Sequence, residues 1–511
     1  MLWKEIENTI TAGNHECYVV GGFLRDLYLG RPVHDLDLVV ESGALKLARE
    51  LADRVGGSFV LLDAEHKIGR VICNDLQAIC NTEIQNTEIR EIDLAEFQGP
   101  SLEADLKARD FTVNALALPL NRETLQNLQD MLITRPQSED WQLTREKLMA
   151  NTLDPCAGLE DLKRKLIRAQ SKEVFRQDPL RMLRAVRFSC QLGWPLEETT
   201  QAWITEYHEE IHKVSAERIR DEIFAVLKQP AAAAYVKAAT DDLGLWPVIW
   251  PEIQAMADTE QNHHHAVDVW VHCLTTLESL ERILANPREL PGDIRKALFN
   301  QLKKPLGRCP RRRQDLLKWV ALFHDVGKTR TKGRRPDGRI TFYGHDRAGG
   351  EIIAAMAHRL MLGNKETQLA QRLVTMHMRP LQLYSLNQVS PKARFRFFRD
   401  LGPEAIEVLL LALADFEAKV AFRGGREELA DYRQFIYDLL RLYIRRPARI
   451  FPPKLISGKD IITYFPGLPH KLIGKILDEV YEAQGEGKVT TRAEALAWLE
   501  ETIPRHYPGH S

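Results

Sequence analysis

Residues 18–40 read YVVGGFLRDLYLGRPVHDLDLVV, and this stretch decides the fold of the first part of the chain. An apolar run ends in Gly21-Gly22, continues through Arg25-Asp26, and leads to a second apolar run carrying Asp35 and Asp37. Side chains alternate along a strand, so Asp35 and Asp37 share one face while Leu36 and Leu38 take the other. Two carboxylates about 7 Å apart along a strand suit Mg²⁺ ions that bridge nucleotide phosphates. A diglycine lets backbone N–H groups approach a triphosphate, and the following helix offers its positive end. Arg25, one turn in, has a fork-shaped donor for the same phosphates.

The 511 residues leave room for three or four domains. A net charge of −1 with 44% hydrophobic residues means that any nucleic-acid surface must be local. Seven scattered cysteines without CxxC pairs argue against a disulfide framework and a zinc ribbon. No apolar run approaches the length of a membrane span, and the N-terminus lacks signal-peptide character. The expectation is a cytoplasmic protein with no membrane role.

Around residues 18–40, positions 1–145 mix helices with β-branched strands (CYVVGG, LDLVV, SFVLL, RVICN, REIDLA, VNALALPL). Asp93, in REIDLA, reads as a surface residue rather than a third carboxylate of the site. From Leu159 onward the apolar residues recur at helical spacing. The expected parts are an α/β head over 1–145, a helical neck over 146–230, and a helical body over 231–446. A tail at 454–506 follows the Pro452-Pro453 linker. In the neck, Gln177-Asp178-Pro179-Leu180-Arg181 starts a helix, with Asp178, Arg181 and Arg184 on one face. A carboxylate beside a guanidinium matches the amine and adjacent ring nitrogen shared by cytosine and adenine.

Together these pieces resemble the class II tRNA nucleotidyltransferase/poly(A) polymerase family. GG-x-x-RD…D-x-D is followed by Arg109-Asp110-Phe111-Thr112-Val113-Asn114-Ala115, then by Asp154–Leu162 as DPxxGxxDL. Gln177–Arg181 matches the base-reading motif, and Ser215–Glu222 a late neck motif. The resemblance implies a polymerase-β-like α/β nucleotidyltransferase head with an all-α neck. It also implies addition of CCA to the tRNA acceptor end from CTP and ATP, with release of pyrophosphate. Asp35 and Asp37 would be catalytic and hold Mg²⁺. Gly21, Gly22, Arg25 and Arg109 would hold the triphosphate, Asp178 and Arg181 read the base, and Arg184 and Arg187 support them. Ala108 and Gln177 depart from the family motifs, where Arg and Glu stand. An A-adding enzyme or a poly(A) polymerase shares every motif quoted. The length between Asp37 and Arg109 matches enzymes that retain a flexible loop, which disfavours a CC-adding enzyme.

A second chemistry lies in residues 262–446. His272 (VDVWVHCL), His324-Asp325 (LFHDVGK) and Asp415 (LLLALADFEAK) resemble the H…HD…D ligand set of the HD phosphohydrolase superfamily. Imidazole with carboxylate suits Mn, Ni, Fe or Mg, and His345 and His377 fall where some HD proteins place further ligands. The resemblance implies a metal-dependent phosphatase or 2′,3′-cyclic phosphodiesterase. A reading from another class makes the protein mainly such a hydrolase, with a nucleotide-binding head. The His263–His265 run reads as solvated surface. Basic stretches at Lys303–Arg313, Lys328–Arg335, Arg394–Arg399 and Arg441–Arg449 offer charge for a tRNA stem. The tail resembles the C-terminal helical unit of bacterial relatives. The oligomeric state stays open.

Overall fold

The computed structural model describes residues 2–13, 16–73, 89–261, 267–307, 311–386, 388–445 and 447–506. The His263–His265 run, Arg308 and positions 74–88 of the segment between Asp37 and Arg109 lie outside them. The chain forms two compact units, Met1–Val214 and Ser215–Ser511.

The first unit is built on six strands: β1 (Cys17–Val20), β2 (Asp35–Val40), β3 (Ser58–Asp63), β4 (Ile68–Ile72), β5 (Glu91–Glu96) and β6 (Ala117–Pro119). Their order is β3-β4-β5-β2-β1-β6. All pairs are antiparallel except β2 with β5, which is parallel and sets Asp37 opposite Asp93. Leu36 and Leu38 are buried while Asp35 is exposed, the alternation a half-buried strand requires. The helix Ala44–Val55 covers the sheet with Leu47, Ala48 and Leu51. Helices then take over, and two of them, Glu173–Gln177 and Leu180–Leu192, flank Asp178 and Pro179.

The second unit is helical apart from a hairpin of β7 (Gly333–Arg334) and β8 (Ile340–Thr341). The long helices Val269–Ala285, Arg313–Phe323 and Ala405–Arg423 pack together through buried faces. The third is apolar nearly all round (Leu409, Leu410, Leu411 and Leu413 are fully buried), as a central helix must be. Trp246, Trp250, Trp319 and Phe323 form a buried aromatic cluster beside them. The tail helices at 458–464, 470–485 and 492–506 close a small core of their own around Ile461, Ile476, Val480 and Leu499. No described helix is long and apolar enough to cross a membrane.

The basic helix Pro391–Leu401 pairs much of its charge with the tail while those side chains stay partly exposed. Lys392, Arg396 and Arg399 pair with Glu482 and Glu486 of the tail, while Phe395, Phe397 and Phe398 are buried. Its alternation of Arg and Phe is therefore a packing pattern that seats the tail on the body.

Candidate active sites

In the first unit, β1 delivers the diglycine and β2 the two aspartates to one end of the sheet. Gly21 has φ +75°, and a Cβ there would stand 3.1 Å from Arg109 Nη1 and 3.2 Å from Asp37 Oδ2. Glycine is needed for both conformation and space. Arg109 is steadied by Asp105, whose Oδ2 accepts from Nε at 3.2 Å and Nη2 at 3.1 Å. Gly21, Asp37 and Arg109, quoted from stretches some 90 residues apart, thus meet.

Asp93, expected from sequence to be a surface residue rather than a third carboxylate, stands beside this group as well. It lies beside Asp37 across the parallel β2–β5 pair, and Arg70 grips it at 2.7 and 2.9 Å. Burial and the nearby Asp93 charge push the Asp37 carboxyl up to about 6, with Arg109 pulling the other way. Oxygen donors carrying surplus negative charge fit a divalent magnesium ion. A two-residue periodicity within REIDLA would have put Asp93 and Glu91 on one strand face. The pairing of that strand with β2 was not readable from it.

Arg25 differs from expectation. It is 3% exposed, donates to Asp26 at 2.7 and 3.1 Å, and donates from Nη1 to Asn114 Oδ1 at 2.6 Å. Contact with a phosphate would require these bonds to be exchanged, which here tie the helix Gly22–Tyr28 to Asn114. The bonding continues: Asn114 Nδ2 donates to Asp110 Oδ1 at 3.0 Å, and Arg184 Nε to Asp110 Oδ2 at 2.8 Å. Burial alone would raise the Asp110 carboxyl, but Arg184, Asn114 and Arg181 together hold it below the ordinary value. Thr112 Oγ1 donates to Asp161 Oδ2 at 2.7 Å, and Asp154 accepts from the N–H groups of Gly158 and Leu159. The Thr112–Asp161 bond joins the RDFTVNA segment to DPxxGxxDL, whose own turn the Asp154 bonds fasten.

Arg181 has a buried Nη1 with no hydrogen-bond partner among the described groups. The backbone N–H of Leu180 donates to Asp178 Oδ1 at 3.2 Å, which orients that carboxylate one turn from Arg181. Phe188 lies under three guanidinium groups, those of Arg25, Arg184 and Arg187, at 4.9, 5.3 and 4.2 Å from its ring centre. Its place at the end of the Arg-rich helical face was the available signal.

In the second unit, the expected ligands converge in the interior. His272 Nε2 is 2.9 Å from Asp415 Oδ1 and 3.5 Å from Asp325 Oδ2. His324 Nε2 stands 3.5 and 3.6 Å from the same two carboxylates and has no hydrogen-bond partner among the described groups. His345 and His377 reach the other oxygen, Asp325 Oδ1, at 3.4 and 3.5 Å. Their Nδ1 atoms are tied to the carbonyls of Phe342 (2.8 Å) and Val374 (2.6 Å), so both Nε2 lone pairs face inward, 3.3 Å apart. Burial lowers His272 to about 4 and lowers His345 as well, keeping both imidazoles neutral. Burial also acts to lower His324, but the neighbouring Cys273 and Asp325 raise it well above its ordinary value. A proton there and a cation in the cluster answer the same negative surplus. Two groups, His272-His324-Asp325 and Asp325-His345-His377, each bring their donor atoms within ligating range, sharing Asp325. Convergent acceptors of this kind fit divalent metal ions. Lys328 Nζ and Lys419 Nζ sit 2.6 Å from Asp325 and Asp415.

Comparison with known proteins finds relatives for both parts of the chain. Residues 17–132 match the poly A polymerase head domain, 193–256 the probable RNA and SrmB-binding site of polymerase A, and 269–417 the HD domain. The chain is 31% identical to an A-adding tRNA nucleotidyltransferase of Deinococcus radiodurans, over 95% of this chain and 96% of that one. It is 30% identical to a CC-adding tRNA nucleotidyltransferase of Geobacter sulfurreducens, over 95% and 92%. Its fold is shared by the Thermotoga maritima CCA-adding enzyme complexed with tRNA, at TM-score 0.59 and 18% identity, over 98% of this chain and 95% of that one. The head is a nucleotidyltransferase fold followed by a helical body that contains an HD domain. The chain belongs to the tRNA nucleotidyltransferase/poly(A) polymerase family.

Proposed function

We propose that the protein adds CCA to the 3′ end of tRNA, using CTP and ATP without a nucleic-acid template and releasing pyrophosphate. The carrying observation is the buried, unpartnered Arg181 Nη1 beside the oriented Asp178, on a helix bonded through Arg184 to the segment that holds Arg109. A base edge with an amine next to an accepting nitrogen would give Arg181 Nη1 an acceptor and would add a donor to those Asp178 already accepts from. Asp35 and Asp37, with Asp93 nearby, would hold Mg²⁺, which supplies charge neutralisation at the phosphates and activates the attacking 3′-hydroxyl. Gly21 keeps the approach to Asp37 open, and Arg109 directs a guanidinium at the phosphates. The reaction is then mostly positioning. The free cysteines among the described residues support a reducing, cytoplasmic setting.

The test is extension of tRNAs ending at the discriminator base, in C and in CC, with CTP and ATP. Growth of the first by CCA is the expected result, and Asp35→Ala or Asp37→Ala abolishes it. Extension of the CC-ended tRNA alone would make this an A-adding enzyme, as the Deinococcus relative is named. Long A tails on unrelated RNA would make it a poly(A) polymerase.

A specific observation supports a second activity, the convergence of four imidazoles on the two sides of Asp325. The helical body would hold two divalent ions of the Mn, Ni, Fe or Mg group and hydrolyse phosphoesters. When bound, such ions supply a hydroxide nucleophile and polarise the phosphoryl oxygens. Asp325 would serve both ligand groups, and Lys328 and Lys419 bring positive charge to the same opening. Hydrolysis of p-nitrophenyl phosphate and of 2′,3′-cyclic nucleotides, lost in Asp325→Asn, is the check.

A further inference from the structure

A cavity of about 490 Å³ opens over the shared Asp325, and its walls say more about the substrate than its floor does. The floor is Asp325, His345 and Lys328. One wall is the helix bearing Lys419, and the rim is the β7–β8 hairpin with the turn that follows it. The hairpin brings Arg335 and Arg339 to the rim. Arg339 has no carboxylate within ion-pair distance among the described residues, whereas Lys328 and Lys419 are each paired. Beside it stands Tyr343, 70% exposed, with the Arg335 guanidinium 5.6 Å from its ring centre. An exposed ring held in place by a cation is a stacking platform.

Building on the phosphohydrolase reading, we infer that this cavity takes a ribonucleotide with two separate phosphates. One is a 2′- or 3′-phosphate at the metal cluster, and the other is a 5′-phosphate at Arg339, with the base on Tyr343. A lone phosphate would leave the rim cation and the aromatic ring without a role, and pyrophosphate, which has no base, would leave the ring without one. The reaction needs water alone. Its oxygen bonds to phosphorus, the ribose P–O bond breaks, and the ribose oxygen leaves with a proton as the hydroxyl. Both a free nucleoside bisphosphate and the end of an RNA strand have this chemistry.

The experiment compares adenosine 3′,5′-bisphosphate, adenosine 3′-monophosphate and pyrophosphate on the full-length, Mn²⁺-loaded protein. Binding is read by calorimetry and by competition against p-nitrophenyl phosphate hydrolysis, with metal content measured in parallel. The bisphosphate should bind about tenfold tighter than the monophosphate, the scale of one charge-assisted contact. Arg339→Gln removes that preference without loss of metal, and Arg339→Lys restores part of it. Tyr343→Ala weakens both nucleotides by about tenfold, the scale of one stacked base, and leaves pyrophosphate unchanged. A 3′-phosphorylated RNA dinucleotide that matches the bisphosphate marks strand ends as the source, and one that binds like the monophosphate marks free nucleotides. Equal binding of the two nucleotides, pyrophosphate as tight as either, or an Arg339→Gln variant that behaves as wild type overturns the inference. Absence of both bound metal and p-nitrophenyl phosphate hydrolysis would instead overturn the phosphohydrolase reading beneath it.

Discussion

His345 Nε2 and His377 Nε2 face each other at 3.3 Å with both Nδ1 protons committed to backbone carbonyls. Two lone pairs cannot satisfy one another, and Asp325 Oδ1 adds a third acceptor. A cation resolves the contact. Purified protein should therefore hold two equivalents of divalent metal by elemental analysis, His377→Ala one, and Asp325→Asn fewer than one. Two ions remaining in His377→Ala would place the second ion elsewhere.

The Asp110–Arg184 pair predicts a pH signature. Because Asp110 titrates lower in the folded chain than in the unfolded one, its contribution is present above the unfolded value and is lost as pH falls through the folded value. Arg184→Gln removes a charge-assisted bond to a buried carboxylate, worth about 2–3 kcal/mol. Urea unfolding from pH 7 down to pH 3 should show the gap between wild type and variant narrowing toward acid. A gap that stays constant would separate Arg184 from the ionisation of Asp110.

Asp93 should matter to the Mg²⁺ dependence proposed for the head. Asp93→Asn removes a charge that pushes the Asp37 carboxyl up and weakens attraction for a cation. Nucleotide addition should then need several-fold more Mg²⁺ for half-maximal rate. An unchanged Mg²⁺ titration would make Asp93 merely the partner of Arg70.

A Cβ on Gly327 would stand 2.0 Å from the His345 carbonyl oxygen and 2.4 Å from the Gly349 nitrogen. Backbone on both sides leaves nothing flexible to yield. Gly327→Ala should destabilise the helical body by about 1–3 kcal/mol, the usual cost of overpacking, and lower its metal content. Nucleotide addition measured well below the unfolding temperature is the control.

Much of this was legible because the signal was local. Asp35 and Asp37 alternate with Leu36 and Leu38, so the strand and its functional face follow from adjacent residues. LFHDVGK identifies the centre of the helical body for the same reason. What was not legible depends on partners far along the chain. Asp93 joins Asp37 only through the β2–β5 register, and Arg25 turns inward because Asn114, 89 residues later, accepts from it. Arg396 and Arg399 read as open charge until Glu482 is placed against them. Charge patterning gives the side chain's nature, and tertiary packing decides whether it meets solvent or a carboxylate.

The bonds running from Arg25 through Asn114 and Asp110 to Arg184 have a consequence for accuracy. If side chains select the base as proposed, no second strand proofreads the choice, and the selector's rigidity sets the fidelity. Loosening any member of that run should blur cytosine against uracil before it slows the reaction. Errors at the 3′ end, rather than lost turnover, would be the first symptom of damage to this core.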